Sequence, residues 1–557
     1  MAKLRAPGMG PRVGHTTTSS CKIWIRAASD ADASPDAERR TVGVAAVIRA
    51  DGRKYRYIRA YYFRMRREFD RGGTIDLGRD TPGLTLEADT EYVVKAGYLV
   101  LDDPYDNDTG VASDELVKRL PKPSAWIEDL LALEPTCAQA AFRTFPEPPT
   151  GVTSFMMGSC RYPGLLWKKR HSDRIFRPMA ELAKGGRAQA AADPEQVEHV
   201  VRPSFTLMMG DQIYADKLNR HIPLGRAESY DEFRQRYMTA FNSPNFRELS
   251  RHNAIYCGLD DHEIEDDWSR NRLRGRHRLF TVAIDAFMNY QWSLGPRTWG
   301  TNLHYAFECG GYPFIVLDTR TQRWYDEQPG NLEGNHMLGR PTHQDAPPGQ
   351  LQRLLDWLAE QQFERGNVPK FVVTPSVFVP NPMSARTILE DSHPEVLQRS
   401  GSWAAFPSTR SAILSRIVES RVQNVVFLSG DIHCCNVAEM HFTGGRAEDL
   451  RLFSVTSSAF YWPFPFADGE PSDFVHNSSA DDQRDTFLFN LPDGEPVTMD
   501  YVARNFSQED NFTLVTIHPD TSRIRVQVFD SRGNIVFPDD SMLDPFEPTQ
   551  YLDLGQW

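Results

Sequence analysis

The sequence predicts an α/β protein with a small antiparallel β-sandwich ahead of it. From Gly151 onward, apolar runs of strand length alternate with helical patterns, which reads as βαβ units with a sheet covered on both faces. Four of those runs end directly in acid-rich knots, and open α/β sheets build their sites at that strand edge. Residues 13–145 instead carry short alternating runs divided by turn residues, the pattern of an antiparallel sandwich.

In the first part the alternating runs are 21–26, 41–48, 55–62 and 92–101, punctuated by Asp51-Gly52, Gly72-Gly73 and Asp102-Asp103-Pro104. No chemistry clusters there. Pro146-Glu147-Pro148-Pro149-Thr150-Gly151 reads as a linker, which gives domains of residues 1–147 and 151–557. In the second part the runs 153–157, 205–209, 254–259 and 424–429 read as buried strands. The knots that follow them are Gly158-Ser159-Cys160, Gly210-Asp211-Gln212-Ile213-Tyr214, Asp260-Asp261-His262-Glu263 and Gly430-Asp431-Ile432-His433. Helices are expected at 173–183, 231–242, 278–292, 350–365 and 408–419, and further strands at 314–317, 371–374, 452–456, 512–517 and 524–530. Residues 184–203 read as a mobile loop, and 460–500, rich in Pro, Asp and Phe, as a long surface excursion near the site with the character of a lid.

A chain of 557 residues exceeds one hydrophobic core. Its 40% hydrophobic and 25% charged residues are those of an ordinary globular protein. No apolar stretch approaches the ~20 residues that span a bilayer. No apolar leader is visible, which points to the cytoplasm, although a leader already removed would leave no trace. Seven cysteines, an odd number, do not form a disulfide framework and fit reduced thiols. A net charge of -13 argues against binding a nucleic-acid backbone, but a metal centre could still supply local positive charge for a small phosphorylated substrate.

Four loops at strand ends would bring Cys, Asp, Tyr, Asp, His, Asp and His together, an inventory suited to metals. Gly210 lets the backbone turn tightly so that Asp211 projects over the sheet edge, with Tyr214 within one turn. A capping Asp and a packed Tyr account for that pair equally well. Asp260 and Asp261 repel each other at a buried strand end, and a cation relieves this. His262 beside them can donate a proton to a leaving group. Glu265, Asp266 and Asp267 read as outer or solvent-facing carboxylates. If the chain stays extended, Asp431 and His433 point the same way. Cys434 and Cys435 read as packed thiols. Cys160 reads equally as a buried hydrophobe, a thiolate ligand or a nucleophile. Arg161 could clamp a phosphate oxygen, while Arg320 holds a loop through Asp318.

Taken in order, Met157-Gly-Ser-Cys-Arg161, Met209-Gly-Asp-Gln-Ile-Tyr-Ala-Asp216, Asp260-Asp-His-Glu263, Leu317-Asp-Thr-Arg320 and Leu428-Ser-Gly-Asp-Ile-His433 resemble the alkaline phosphatase D (PhoD-like) branch of the calcineurin-like metallophosphatases. Val13-Gly-His-Thr-Thr-Thr18, Trp24 and Thr90-Glu-Tyr92 look like that branch's N-terminal β-sandwich. The resemblance implies a metallophosphatase-type αββα sandwich and a metal-dependent phosphoester hydrolase. It implies that Asp211 bridges two metals, that Cys160, Tyr214 and His433 hold one ion, and that Asp431 with Asp261, or alternatively Asp260, holds the other. It implies His262 as the group assisting the leaving oxygen, with a ferric ion beside a divalent ion, calcium foremost. Two departures stand out: Thr374-Pro375-Ser376 lacks the superfamily's frequent His, and Trp403-Ala-Ala-Phe-Pro407 is less polar than the branch's usual segment.

The expected reaction is in-line attack by hydroxide held between two cations. Rival readings are a phospholipase D-type phosphodiesterase, with the aromatic residues 460–466 receiving a bulky ester, a cysteine hydrolase using Cys160 with His262 as base, and a non-catalytic binding module. The substrate, the second metal and the oligomeric state are open at this level.

Overall fold

The structure, a computed structural model, describes residues 3–28, 39–51, 54–104, 113–164, 170–185, 201–216, 225–298, 302–341, 347–381, 393–398, 401–464, 477–480, 485–536 and 549–557. The loop expected at 184–203 falls largely outside the described residues.

The α/β expectation holds: beyond the linker the chain forms two sheets, as the αββα sandwich implied by the resemblance requires. The first has six strands in the order Ala254–Cys257, Phe205–Met208, Thr153–Gly158, Asn511–His518, Arg523–Asp530, Thr549–Asp553. Only the first three are parallel to one another, and the C-terminal strands join antiparallel. The second has eight strands in the order Tyr305–Cys309, Tyr312–Val316, Lys370–Val373, Val425–Ser429, Leu452–Thr456, Cys435–Thr443, Pro496–Ser507, Phe487–Asn490. The fourth knot therefore belongs to a different sheet from the other three.

Side-chain alternation explains the layering. Phe155, Met157, Phe205 and Leu207 of the first sheet share a core with Phe314, Phe371, Val426 and Leu428 of the second. The intervening Met156, Met208 and Ile255 point the other way and pack under Phe176–Ala183, Tyr230–Phe241 and Leu273–Tyr290. Ile315, Val372 and Phe427 likewise face Gln350–Arg365 and Pro407–Glu419. Because strand side chains alternate with period two, apolar strands of this kind bury both faces, giving helix, sheet, sheet, helix.

Ahead of this lie two antiparallel sheets. One runs Lys3–Arg5, Glu91–Pro104, Arg39–Asp51, Lys54–Arg64, with Gln139–Arg143 also on Glu91–Pro104, and the other is Met9–Thr16, Cys21–Arg26, Gly72–Leu77. Their core is continuous with that of the two sheets above: Tyr256 accepts a hydrogen bond from the Thr16 amide at 3.2 Å and meets His15 Nδ1 at 3.0 Å.

The excursion expected over 460–500 is corrected in its second half. Phe487–Asn490 and Pro496–Ser507 form a hairpin on the second sheet, because Val497, Met499, Tyr501 and Ala503 alternate inward and are all buried. Residues 465–476 and 481–484 of that excursion lie outside the described residues.

Candidate metal centre

The four knots meet at the C-terminal edges of Thr153–Gly158, Phe205–Met208, Ala254–Cys257 and Val425–Ser429. Backbone hydrogen bonds join them: the Cys160 amide donates to Gly210 O at 3.2 Å and the Arg161 amide to Asp211 O at 2.7 Å. Gly210 takes φ +104°, and a Cβ there would lie 2.3 Å from Asp260 Cβ, so glycine lets the second and third knots touch.

Cys160, Asp211, Asp431 and His433 are all left-handed, with φ of +53°, +55°, +72° and +54°. Such conformations cost about 1–3 kcal/mol each for residues with a side chain and gather at functional sites. They also correct the expectation that Asp431 and His433 sit on an extended chain. The turn at 430–433 sends them to different neighbours.

Ligand atoms of Asp211, Asp261 and His262 lie within 4.8 Å of one another, as do those of Asp260, Asp261 and Asp431. Cys160 Sγ is 3.5 Å from Asp211 Oδ2 and 3.6 Å from the Asp431 carbonyl oxygen. Tyr214 Oη is 3.4 Å from His433 Nε2. Eight of the nine residues named from the sequence thus lie in one connected cluster. Arg161 does not join them. Its guanidinium is buried, donating to Ser172 O, Ala240 O and Ser243 Oγ and pairing with Asp173, while it lies over the Phe176 ring. The clamp expectation fails because these partners already take up its donors.

Arg320 holds a nearer place. Its amide does cap the turn through Asp318, but its guanidinium bonds Asp260 and lies 3.4 Å from Asp261 Oδ2 and 3.3 Å from Asp431 Oδ2. One positive charge therefore already sits among the carboxylates that the resemblance gives to the second metal. Glu265, expected in solvent or the outer shell, is buried between Arg226, Arg272 and Arg276.

His262 stacks on Tyr214 with centroids 4.1 Å apart, and its Nδ1 meets Asp216 Oδ1 at 2.7 Å. Asp216, fully buried, also accepts the Asp266 amide at 2.6 Å. Sequence reading passed over Asp216, although it closes the same motif as Asp211 and Tyr214. Burial opposes charge on His262, but Asp211, Asp216 and Asp261 outweigh it and hold the imidazole well above its ordinary value. Burial and then the facing Asp211 push the Cys160 thiol up. Burial, with Asp261, Asp260 and Glu263 nearby, pushes Asp211 up against the pull of His262. Burial also acts on Asp261, but Arg320 and His262 overcome it and lower that carboxyl to about 2.

These residues fit a cation. Thiol, phenol, imidazole and carboxylates form a mixed hard and soft donor set, and the thiol and carboxyl that burial pushes up would both ionise against a metal. The buried Asp260 Oδ2 has no hydrogen-bond partner among the described residues.

Beside the cluster, Trp462 lies flat on His433, centroids 3.6 Å apart and planes 7° off parallel. Tyr162, Tyr214, Tyr461 and Phe464 complete an aromatic group. Phe460 and Tyr461 are core residues, tied to the first knot by amide bonds to Ser159 O and Cys160 O, whereas Trp462 and Phe464 are half-buried. Phe466 lies outside the described residues. In the segments that depart from the resembling branch, Trp403 Nε1 donates to Thr374 Oγ1 and Ser376 O, both at 3.2 Å, so both segments are packed into the buried floor.

A family model described as PhoD-like phosphatase matches residues 188–464. A solved structure titled "Structure of PhoD" superposes with a TM-score of 0.60 at 14% identity, covering 94% of this chain and 86% of that one. No curated protein matches the chain.

Proposed function

We propose that this chain, whose residues 188–464 match the PhoD-like phosphatase model, is a hydrolase of phosphate esters that cleaves monoesters or diesters by in-line attack of hydroxide on phosphorus. We assign one ion to Cys160, Asp211, Tyr214 and His433, and a second to Asp211 and Asp261 with Asp260 and Asp431, ferric iron and calcium being the pair that fits these donors best. When bound, such cations lower the pKa of water and neutralise charge on phosphoryl oxygens. The chain's own residues do the rest. His262, paired with Asp216, gives its proton to the departing oxygen. Asp216 fixes the ring and thereby the nitrogen that carries that proton. Arg320 screens the carboxylates from one another. We also retain the division at residues 147 and 151, with the N-terminal sheets as a separate domain, and a cytoplasmic location. Among the described residues no helix is long and apolar enough to cross a membrane.

The observation that carries this reading is the convergence of Asp211, Asp261 and His262 within 4.8 Å at strand ends. A cysteine-hydrolase mechanism finds less support, since the Cys160 thiol is fully buried and held protonated. A phospholipase D-type diesterase keeps support from the half-buried Trp462 and Phe464 beside His433. The test compares p-nitrophenyl phosphate with its bis ester before and after chelation, with metal content and the visible spectrum recorded. Asp211→Asn should fold normally and lose at least about 100-fold in kcat. Near-normal turnover in that variant, or full activity without metal, would defeat the proposal.

A further inference from the structure

Glu263 belongs to the third knot, yet it is given no role in the chemistry above. It is fully buried. Its Oε2 accepts the amides of Asp211 at 2.9 Å and Asp260 at 3.1 Å, and its Oε1 accepts the amide of Gln212 at 2.7 Å. Gly210 and Asp211 are consecutive left-handed residues. Successive amides in a tight turn make a concave cradle for an anion. Here the cradle is filled by the chain's own carboxyl group, and its three amide bonds hold Asp211 in a conformation that would otherwise be costly.

Glu263 is itself held. Gln291 Nε2 donates to Glu263 Oε1 at 3.1 Å and lies 3.2 Å from Tyr237 Oη. Tyr237 stacks on Tyr290, centroids 4.9 Å apart and planes 7° off parallel. Tyr290 Oη bonds Asp70. Asp70, beside the three-stranded N-terminal sheet, also accepts from Arg26 Nε at 2.6 Å and Nη2 at 2.8 Å. Every side chain in this series is buried.

We propose that Glu263 is the positioning residue for Asp211 and Asp260, and that Gln291, Tyr237 and Tyr290 make Asp70 of the N-terminal part a member of the same support. The inference rests on the hydrolase reading and adds a task for the N-terminal sheets: they brace the metal-binding loops.

The experiment measures Mn2+ binding to the full chain, by loss of the free-ion EPR signal, alongside kcat and KM for bis-p-nitrophenyl phosphate and far-UV circular dichroism. Glu263→Gln keeps the shape but turns an amide donor toward amide donors. It should weaken Mn2+ binding and lower kcat by about tenfold or more, the scale seen when groups behind metal ligands are lost, with KM nearly unchanged. Tyr290→Phe removes one hydroxyl far from the metal and keeps the ring stack, so it tests the remote arm in a variant that folds. It should weaken Mn2+ binding by about threefold. Combined with Glu263→Gln it should add less than its separate effect, because both act on one support. Wild-type binding and kcat in folded Glu263→Gln would overturn the positioning role. Wild-type Mn2+ affinity in Tyr290→Phe would overturn the link to the N-terminal part. A wild-type chain that neither binds Mn2+ nor hydrolyses p-nitrophenyl phosphate or its bis ester would overturn the hydrolase reading itself.

Discussion

Asp216 sets how His262 titrates. The imidazole is raised above its ordinary value, so it is protonated at neutral pH and loses its proton only as pH climbs through the raised value. An acid with that profile gives activity that falls on the alkaline side. Asp216→Asn removes the carboxylate hydrogen-bonded to His262 Nδ1, so the alkaline limb of the kcat profile should move to lower pH. A limb that stays in place would show that His262 is not the titrating acid. At this scale the sequence was unevenly legible. Asp211, Asp261 and His262 announce themselves because each stands directly after an apolar run and a turn. Asp216 and Arg320 do not, since their importance lies in partners 46 and 60 residues away in the chain. Arg161 misleads for the same reason: proximity to Cys160 in sequence places its backbone at the site, while χ angles carry the guanidinium to Asp173 and Ser243.

Strands and loops carry the site to its place, and Gly210 is where two of them come closest. Gly210→Ala would set a Cβ 2.3 Å from Asp260 Cβ at a φ that L residues rarely take. The expected result is a loss of about 2–4 kcal/mol in stability, read from denaturant unfolding, together with a collapse of activity. Wild-type stability would mean that the Asp260 loop can retreat freely. Element positions read well from the sequence. The helix Gln350–Arg365 and the strands Cys21–Arg26 and Leu452–Thr456 match residue for residue, since amphipathic periods and turn residues are local signals. Sheet membership did not read at all. Val425–Ser429 and Thr153–Gly158 are both buried apolar runs, and nothing in such a run says which of two facing sheets it joins. The hairpin at 487–507 was hidden for a different reason: the Pro- and Asp-rich stretch before it dominates the composition, while its alternation begins only at Val497.

Across the whole molecule, the two sheets are clamped by aromatic rings. Phe205 meets Phe155 at 5.1 Å, Phe314 at 5.2 Å and Phe307 at 5.3 Å, bridging the sheets that supply the knots. Phe205→Ala should cost about 3–5 kcal/mol, measured by denaturant unfolding. A loss under about 1 kcal/mol would show that the rings repack around the gap. The placement of Thr153–Gly158 between Phe205–Met208 and Asn511–His518 has a consequence for biosynthesis. A ribosome making this polypeptide releases the first three knots long before the last strands leave the exit tunnel. Until then one side of the Cys160 strand has no neighbour, so under the proposed assignment of Cys160 to a metal, a nascent chain stalled before residue 511 should emerge without a bound ion.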